Sequence, residues 1–294
     1  MINDICNFNH LFTFIKETRP HFIFHLAAQP LVFESYADPL NTFNTNSVGV
    51  LNILESIRRL DCETTAVIIT SDKCYKNVEW VYGYRENDLL GGEDPYSSSK
   101  AVAEQIYFSY QNSFFKNSPH IKVSTARAGN VIGGGDWAKN RIIPDCIKAW
   151  ENSRTVKIRS ASSTRPWQHV LEPLGGYLLL SSKMFQESIG TGESFNFGPS
   201  SETNLTVIDV VKKLSSFWEG QSSYEIINKK SINKESKLLK LSCDKANLNL
   251  GWFPKISVNE AIEMTSIWYW TYLNKPSEIV DLTDKQIKII SSKY

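Results

Sequence analysis

The chain has 294 residues and a mass of 33.4 kDa, which is enough to bury a large hydrophobic core. Lysine and arginine number 32 and aspartate and glutamate 31, so the formal net charge is +1. This balance excludes the strong positive field of proteins that bind nucleic acid or membrane surfaces, and we expect neither partner. The 41% apolar and 12% aromatic content is that of an ordinary globular protein.

Neither the ends of the sequence nor its cysteines predict export. No basic flank and apolar run opens the chain, and the most apolar stretch, residues 171–180, is shorter than the roughly 20 residues of a membrane span. The five cysteines form no C-x-x-C pair. We therefore expect reduced thiols, no metal site and a cytoplasmic location.

The first 131 residues predict strands that alternate with helices. Two short apolar runs, residues 21–28 and 65–72, lack strict alternation, as in strands covered on both faces. Residues 46–60 between them have apolar side chains at helical spacing. A second helix and strand are predicted at 97–115 and 121–131. The order strand, helix, strand predicts an α/β fold with a Rossmann-type parallel sheet.

After three successive glycines at 133–135 the sequence becomes rich in Arg, Trp and Pro. We predict a smaller, mixed α/β substrate-binding region over residues 132–275, interleaved with returns to the sheet. Residues 276–294 are predicted as a C-terminal tail. The lysine-rich stretch 228–240 is interpreted as a solvated loop and strand edge. Short elements are predicted at 142–150, 156–159 and 205–218.

Tyr96 and Lys100 carry the strongest local signal for catalysis. They open a predicted helix directly after Asp94 and Pro95, and their i, i+4 spacing places them on one helical face. A neighbouring ammonium favours the phenolate of a tyrosine, whose ordinary pKa is about 10. Lowering that pKa by roughly three units needs on the order of 4 kcal/mol. The spacing alone also fits an ordinary exposed helix.

Ser71, Asp72 and Lys73 stand at the end of a predicted buried strand. Ligands bind at the carboxyl ends of strands in open parallel sheets, so these side chains lie where a substrate arrives. A hydroxyl, an acid and an amine can bind a sugar, protonate a leaving group and handle a second proton. A helix-capping Ser-Asp turn is the alternative interpretation.

Several blocks in chain order resemble the extended short-chain dehydrogenase/reductases that act on nucleotide sugars. The resemblance runs from about residue 2 to about residue 273. It implies an NAD-dependent enzyme, a nucleotide-sugar substrate and a homo-oligomer, with a dimer favoured. The matching blocks are HLAAQP (25–30), SDKCY (71–75), the Tyr96 and Lys100 pair, RAGNVIGGGDW (127–137), RPWQHVLEP (165–173) and NFGP (196–199).

Within this family the Ser71-Asp72-Lys73 run resembles the 4,6-dehydratases, and its lysine implies CDP-glucose as the substrate. The implied cycle has Tyr96, through Ser71, take the O4 proton while hydride passes from C4 to NAD. Lys100 binds the nicotinamide ribose and lowers the pKa of Tyr96, and Asp72 protonates the departing O6 hydroxyl. Lys73 either removes the C5 proton as a neutral amine or stabilises the C5 enolate as a cation.

Alternative activities within the resemblance are those of another nucleotide-sugar dehydratase or of an epimerase. An epimerase does not need Asp72 and Lys73, so this pair favours dehydration. The resemblance also assigns binding residues, and arginine suits the diphosphate because its planar fork binds phosphate oxygens. For Arg141 a surface position is an equal alternative. Cofactor contacts are expected at Asp4, Ile5, Ala27, Ala28, Gln29, Asn46, Tyr96, Lys100 and Arg127, and substrate contacts at Ser71, Asn130, Arg141 and Arg165.

One part of the family pattern is missing. The sequence contains no G-x-G-x-x-G turn, which in dinucleotide-binding folds places backbone N–H groups against the pyrophosphate. We expect an N-terminally truncated sheet that lacks on the order of 60 residues, two units of about 30 each. Two hypotheses follow: a 4,6-dehydratase whose full-length form supplies this front, or an inactive homologue that binds a nucleotide sugar or a partner subunit. On either, we expect this chain alone to bind NAD poorly.

Overall fold

The computed structural model describes residues 4–200, 205–218, 222–227 and 238–294. Most of the lysine-rich stretch, residues 228–237, lies outside them. The strands are β1 (Phe22–His25), β2 (Thr64–Ile69), β3 (Ile121–Ala128), β4 (Val131–Ile132), β5 (Val156–Ile158), β6 (Gln168–His169), β7 (Ser194–Phe197) and β8 (Tyr224–Ile226). The α-helices are α1 (Phe8–Thr18), α2 (Val32–Ala37), α3 (Pro39–Phe43), α4 (Gly49–Arg58), α5 (Pro95–Ser113), α6 (Ile142–Glu151), α7 (Leu171–Glu187), α8 (Val207–Ser215), α9 (Asp244–Leu250), α10 (Val258–Asn274) and α11 (Ile279–Ser291).

The main sheet is parallel throughout and has the order β1-β2-β3-β7. Val67 of β2 lies between Phe24 of β1 and Ser124 of β3, and Ala126 of β3 pairs with Phe195 of β7. The predicted parallel sheet is therefore confirmed. Strand β7 follows a long excursion through the second region, so the chain does return to the sheet after residue 132.

Helices cover both faces of this sheet, which explains why its strands are apolar without alternation. Ala66 and Ile68 of β2 point to the face covered by α1, α4 and α5, and Val67 points to the face covered by α7 and α9. Three layers of secondary structure result. The largest buried side chains include Leu54, Ile57 and Ile68 on the first face and Phe195, Phe197 and Trp252 on the second.

The helix predicted at 46–60 starts irregularly. Residues Asn44–Val48 form one π-helical turn before α4 begins at Gly49. A side chain at Gly49 would place its Cβ 2.6 Å from Cδ1 of Ile5, so the N-terminal segment packs closely on this glycine. The wider turn places the buried Asn46 and Ser47 against Ser99 of α5.

A second core lies beside the sheet and contains the side chains of α6, α8 and α10. Two small parallel pairs, β4 with β6 and β5 with β8, lie in this region. Residues 276–294, predicted as a tail, instead form α11 and a docked C-terminus, where Trp252 Nε1 donates to the Tyr294 hydroxyl at 2.9 Å. No helix in the described ranges is long and apolar enough to cross a membrane.

A buried ion pair joins α5 to β3. The guanidinium of Arg127 donates to both oxygens of Glu104 at 2.8 Å, and the two side chains are 3% and 1% exposed. Thr70 and Thr125 also donate to Glu104, at 2.5 and 3.0 Å. Burial by itself raises the pKa of Glu104, but Arg127 and the hydroxyl donors hold it below its ordinary value. The carboxylate is therefore charged inside the fold.

Glu104→Gln removes this charge and leaves Arg127 buried without its counter-ion. Breaking a buried pair in this way costs about 3 kcal/mol or more of unfolding free energy. Urea unfolding near neutral pH measures the loss. Glu187→Gln, on the exposed pair with Lys183, is the matched control and is expected to change stability far less. Equal losses in the two variants would contradict the importance of the buried pair.

Candidate active site

One large cavity, of about 1150 Å³, opens at the carboxyl ends of β2 and β3. Its walls come from both the main sheet and the second core, which is where ligands bind in open α/β folds. Its volume suits a ligand larger than a single sugar. The predicted site residues that line it are Ser71, Asp72, Lys73, Tyr96, Asn130, Arg141 and Arg165.

Ser71 begins a one-turn 3₁₀ helix that follows β2. Its Oγ accepts from the backbone N–H of Lys73 at 3.2 Å and donates to Oδ1 of Asp72 at 3.0 Å. The capping turn offered as the alternative interpretation is therefore present. It does not exclude a chemical role, because all three side chains face the cavity.

Asp72 is the most unusual group of the site. Its side chain is 2% exposed, and its Oδ2 has no hydrogen-bond partner among the described residues. Burial raises the pKa of this carboxyl, and the nearby charges of Lys73 and Arg165 oppose the shift only in part. A raised pKa favours the protonated form of the carboxyl, and this form can give its proton to a ligand in the cavity.

Tyr96 and Lys100 lie in the first turns of α5. Asp94 fixes the start of the helix, because its Oδ1 accepts from the backbone N–H of Ser97 at 2.9 Å. Both side chains are buried, and Nζ of Lys100 makes one long hydrogen bond, 3.4 Å, to the backbone oxygen of Ile69. The helical spacing read from the sequence therefore brings the pair to the end of β2.

The structure corrects the expectation that Lys100 lowers the pKa of Tyr96. Burial raises the pKa of Tyr96 to about 12, and the opposing effects come from the Ser71 hydroxyl and from Arg141. Burial also lowers the pKa of Lys100 to about 8. Forming a phenolate here therefore needs positive charge beyond that of the Lys100 side chain.

Gln29 and Asn46 have structural partners at the end of β1. Asn46 accepts from the backbone N–H of Gln29 at 2.8 Å and donates to Ser99 at 3.0 Å, and Gln29 donates to Thr42 at 2.8 Å. These bonds use both the oxygen and the nitrogen of the Asn46 amide, so the side chain connects the segment after β1 to α5. Ala27 is exposed and Ala28 half-buried, at the same end of the strand.

Of the nine expected cofactor residues, Tyr96 lines the cavity and the other eight do not. Asp4 is exposed and accepts from the backbone N–H of Cys6, and the backbone oxygen of Ile5 accepts from Asn52. Both residues lie against α4. The guanidinium of Arg127 donates to Glu104 and to the Tyr75 hydroxyl, 2.7 Å away, and its contact with the cofactor stays a prediction.

The structure adds residues that the sequence did not single out. Arg127 supports Tyr75, whose hydroxyl donates to Oδ1 of Asn196 at 2.7 Å and whose ring lines the cavity. Phe33, Asn140 and Arg159 also line the cavity.

Arg141 was predicted as a substrate contact, with a surface position as an equal alternative. It lies near Tyr96, and its guanidinium donates to Asp136 at 2.8 Å. No group of His, Cys, Asp and Glu in the described ranges could hold a metal ion.

Lys100→Met is expected to stabilise the fold near neutral pH. The pKa of Lys100 is about 8 when folded and 10.5 in its ordinary state, so below pH 8 the folded chain bears the cost of a buried ammonium. That cost is on the order of 3 kcal/mol. Between the two pKa values the unfolded chain binds more protons, so wild-type stability rises with pH and the advantage of the variant declines.

Urea unfolding at about pH 7 and about pH 9.5 measures this difference in the free energy of unfolding. Lys116→Met, at an exposed position, is the control and is expected to show no such pH dependence. A variant advantage that stays constant over this range would contradict the burial of a charged Lys100.

Comparison with known proteins identifies the family. Residues 1–265 match the family model described as GDP-mannose 4,6 dehydratase. A CDP-glucose 4,6-dehydratase of Salmonella typhimurium is 43% identical over 276 residues, which are 92% of this chain and 77% of that protein. A UDP-glucose 4-epimerase of Mycoplasma pneumoniae is 26% identical and covers 89% of this chain and 79% of its own length.

Solved structures have the same fold. An epimerase of Methanothermobacter thermautotrophicus gives a TM-score of 0.81 at 23% identity, over 94% of this chain and 80% of that one. A dTDP-glucose 4,6-dehydratase of Bacillus anthracis in complex with NAD gives 0.73 at 19% identity, over 95% and 81%. The resemblance read from the motifs is confirmed, and the chain belongs to the GDP-mannose 4,6 dehydratase family of extended short-chain dehydrogenase/reductases.

Proposed function

We propose that the protein catalyses the 4,6-dehydration of CDP-glucose to CDP-4-keto-6-deoxyglucose. The observation that carries the proposal is the buried carboxyl of Asp72, which lines the cavity with Lys73 and Tyr96 and whose Oδ2 has no hydrogen-bond partner among the described residues. Loss of water from a sugar needs an acid for the departing hydroxyl and a group that handles the carbon-bound proton. The 43% identity to a CDP-glucose 4,6-dehydratase supports CDP-glucose as the substrate.

NAD is the cofactor that we propose. The nicotinamide end fits the end of β1 and the start of α5, because Lys100 has donors left over from its one long hydrogen bond. Ala27 and Ala28 offer small side chains beside it. When bound, NAD supplies the hydride acceptor for C4 and returns that hydride to C6. The sequence has no G-x-G-x-x-G turn, so these residues account for the nicotinamide end alone.

Tyr96 and Ser71 are placed to remove the proton of the sugar O4. The Ser71 hydroxyl is close enough to Tyr96 to favour its phenolate, and Arg141 acts in the same direction. The positive charge of the nicotinamide ring would add to this effect. The proton leaves O4 for Tyr96, directly or through Ser71, as C4 is oxidised.

Asp72 and Lys73 then perform the elimination. The 4-ketone makes the C5 proton acidic, and Lys73 either takes that proton as an amine or stabilises the resulting enolate as a cation. Asp72 gives its proton to O6, which departs as water. As the hydride returns to C6, C5 regains a proton. The sugar has then lost the O4 proton and the O6 hydroxyl, which together make one water.

Asn130 and Arg165 complete the substrate contacts that we propose. Both line the cavity, and Arg165 is close enough to Asp72 to lower its pKa in part. A guanidinium can bind two phosphate oxygens at once, so Arg165 is suited to the diphosphate next to the sugar. With Arg165 at the diphosphate, the base of the nucleotide lies farther along the cavity.

Incubation with CDP-glucose and a high concentration of NAD tests the function, because we expect this chain alone to bind NAD poorly. We expect a product lighter than CDP-glucose by one water, detected by mass spectrometry, and weaker turnover of UDP-, dTDP- and GDP-glucose. Tyr96→Phe, which cannot form a phenolate, is expected to lose at least about a hundredfold in rate. A product of unchanged mass with inverted C4 would contradict dehydration and favour an epimerase.

Asp72→Asn and Lys73→Gln separate the two halves of the elimination. Asn cannot protonate O6, so we expect Asp72→Asn to exchange the C5 proton with deuterated water without losing water from the sugar. Lys73→Gln is expected to do neither. Each variant is expected to lose about a hundredfold or more in the rate of dehydration. Recovered sugar is analysed by mass spectrometry, and Lys76→Gln at the exposed rim is the control. Normal C5 exchange in Lys73→Gln would exclude Lys73 from that step.

We also propose a cytoplasmic homodimer. Helices α4 and α5 pack side by side, and both keep apolar side chains at the surface. Leu51 is 36% exposed on α4, and Phe108 is 64% exposed on α5. Burying these side chains against a second copy would remove apolar surface from water, which favours association.

A further inference from the structure

Arg159 occupies a position in the cavity that the mechanism does not use. It directly follows β5, and its guanidinium carbon lies 4.9 Å from the ring centroid of Phe33 on α2, which also lines the cavity. Among the described residues, its guanidinium also donates one hydrogen bond, long at 3.4 Å, to Oδ1 of Asn140. A guanidinium has five N–H donors, so within the described part of the chain most of those of Arg159 have no hydrogen-bond acceptor.

Asn140 lies beside Arg159 on the same wall. It adopts a left-handed backbone, with φ of 63°, just before the helix that starts at Ile142. Its side chain is exposed and lines the cavity, and its amide oxygen points to the Arg159 guanidinium. Two N–H donors and a carbonyl acceptor therefore stand next to each other above the ring of Phe33.

We infer that Arg159 and Asn140 recognise the Watson–Crick edge of cytosine, an inference that rests on the proposed function for its substrate class. Cytosine presents two acceptors, O2 and N3, followed by the N4 amino donor. The fork of Arg159 can donate to both acceptors, and Oδ1 of Asn140 can accept from N4. Uracil has an N–H at position 3 and a carbonyl at position 4, so two of the three contacts become unfavourable. Phe33 supplies a stacking surface for either base.

The positions of the other arginines favour the base over the diphosphate as the ligand of Arg159. Arg165 acts on Asp72 and Arg141 acts on Tyr96, so both lie by the reacting sugar. Arg159 instead contacts Phe33 of α2 and Asn140. A nucleotide sugar is elongated, so we assign Arg165 and Arg141 to its sugar end and Arg159 to its base.

Calorimetric titration of the full chain with CDP and with UDP tests the inference. These ligands differ only in the base edge, and their binding needs no turnover. We expect the wild type to bind CDP at least about tenfold more tightly than UDP. Arg159→Gln and Asn140→Gly are expected to reduce this ratio to about threefold or less, chiefly by weakening CDP. Glycine at position 140 keeps the left-handed backbone accessible.

Arg154→Gln is the matched control, because it removes the same charge from an exposed arginine outside the cavity and is expected to keep the full preference for CDP. Equal weakening of CDP and UDP by Arg159→Gln would assign this arginine to the phosphates and overturn the inference. So would equal affinities, or no CDP binding, in the wild type. Selective CDP binding without dehydration would instead overturn the proposed function and leave the base recognition intact.

Discussion

The geometry of the site depends on the buried carboxylate of Glu104. This residue lies one helical turn after Lys100 on α5, and it binds Arg127 of β3 and Thr70, the neighbour of Ser71. One charged group thus connects the helix of the Tyr96 and Lys100 pair to the two strands whose ends form the cavity. Burying it is unfavourable unless its acceptor sites are filled, and the arginine and threonines provide those donors.

Burial also determines the pKa shifts of the candidate catalytic groups. The pKa values of Asp72 and Tyr96 are raised and that of Lys100 is lowered, in each case chiefly by burial. All three shifts disfavour the charged form. A raised pKa favours the protonated form of Asp72, and the phenolate of Tyr96 is favoured when a further positive charge lies near it. In the mechanism that we propose, the nicotinamide ring supplies that charge.

The sequence predicts those features that depend on local spacing. The strands of the main sheet, the Tyr96 and Lys100 pair and the run that begins at Ser71 follow from periodicity and order along the chain. The partner of Arg127 could not be predicted, because Glu104 meets it only after α5 packs on β3. One signal was available: the i, i+4 spacing of Lys100 and Glu104 places Glu104 on the helical face that also carries Tyr96. The π-helical turn before α4 and the neighbours of Arg159 likewise depend on contacts between distant segments.

The two ends of the cavity differ in how firmly their side chains are held. Asp72, Tyr96 and Lys100 are buried against the main sheet, next to the network of Glu104. Asn140 and Arg159 are exposed and share one long hydrogen bond. Substitution at Asn140 or Arg159 leaves no buried charge without a partner, whereas substitution at Glu104 does. The base preference that we propose for Asn140 and Arg159 can therefore change at little cost to stability, while the candidate proton-transfer groups remain fixed by the core.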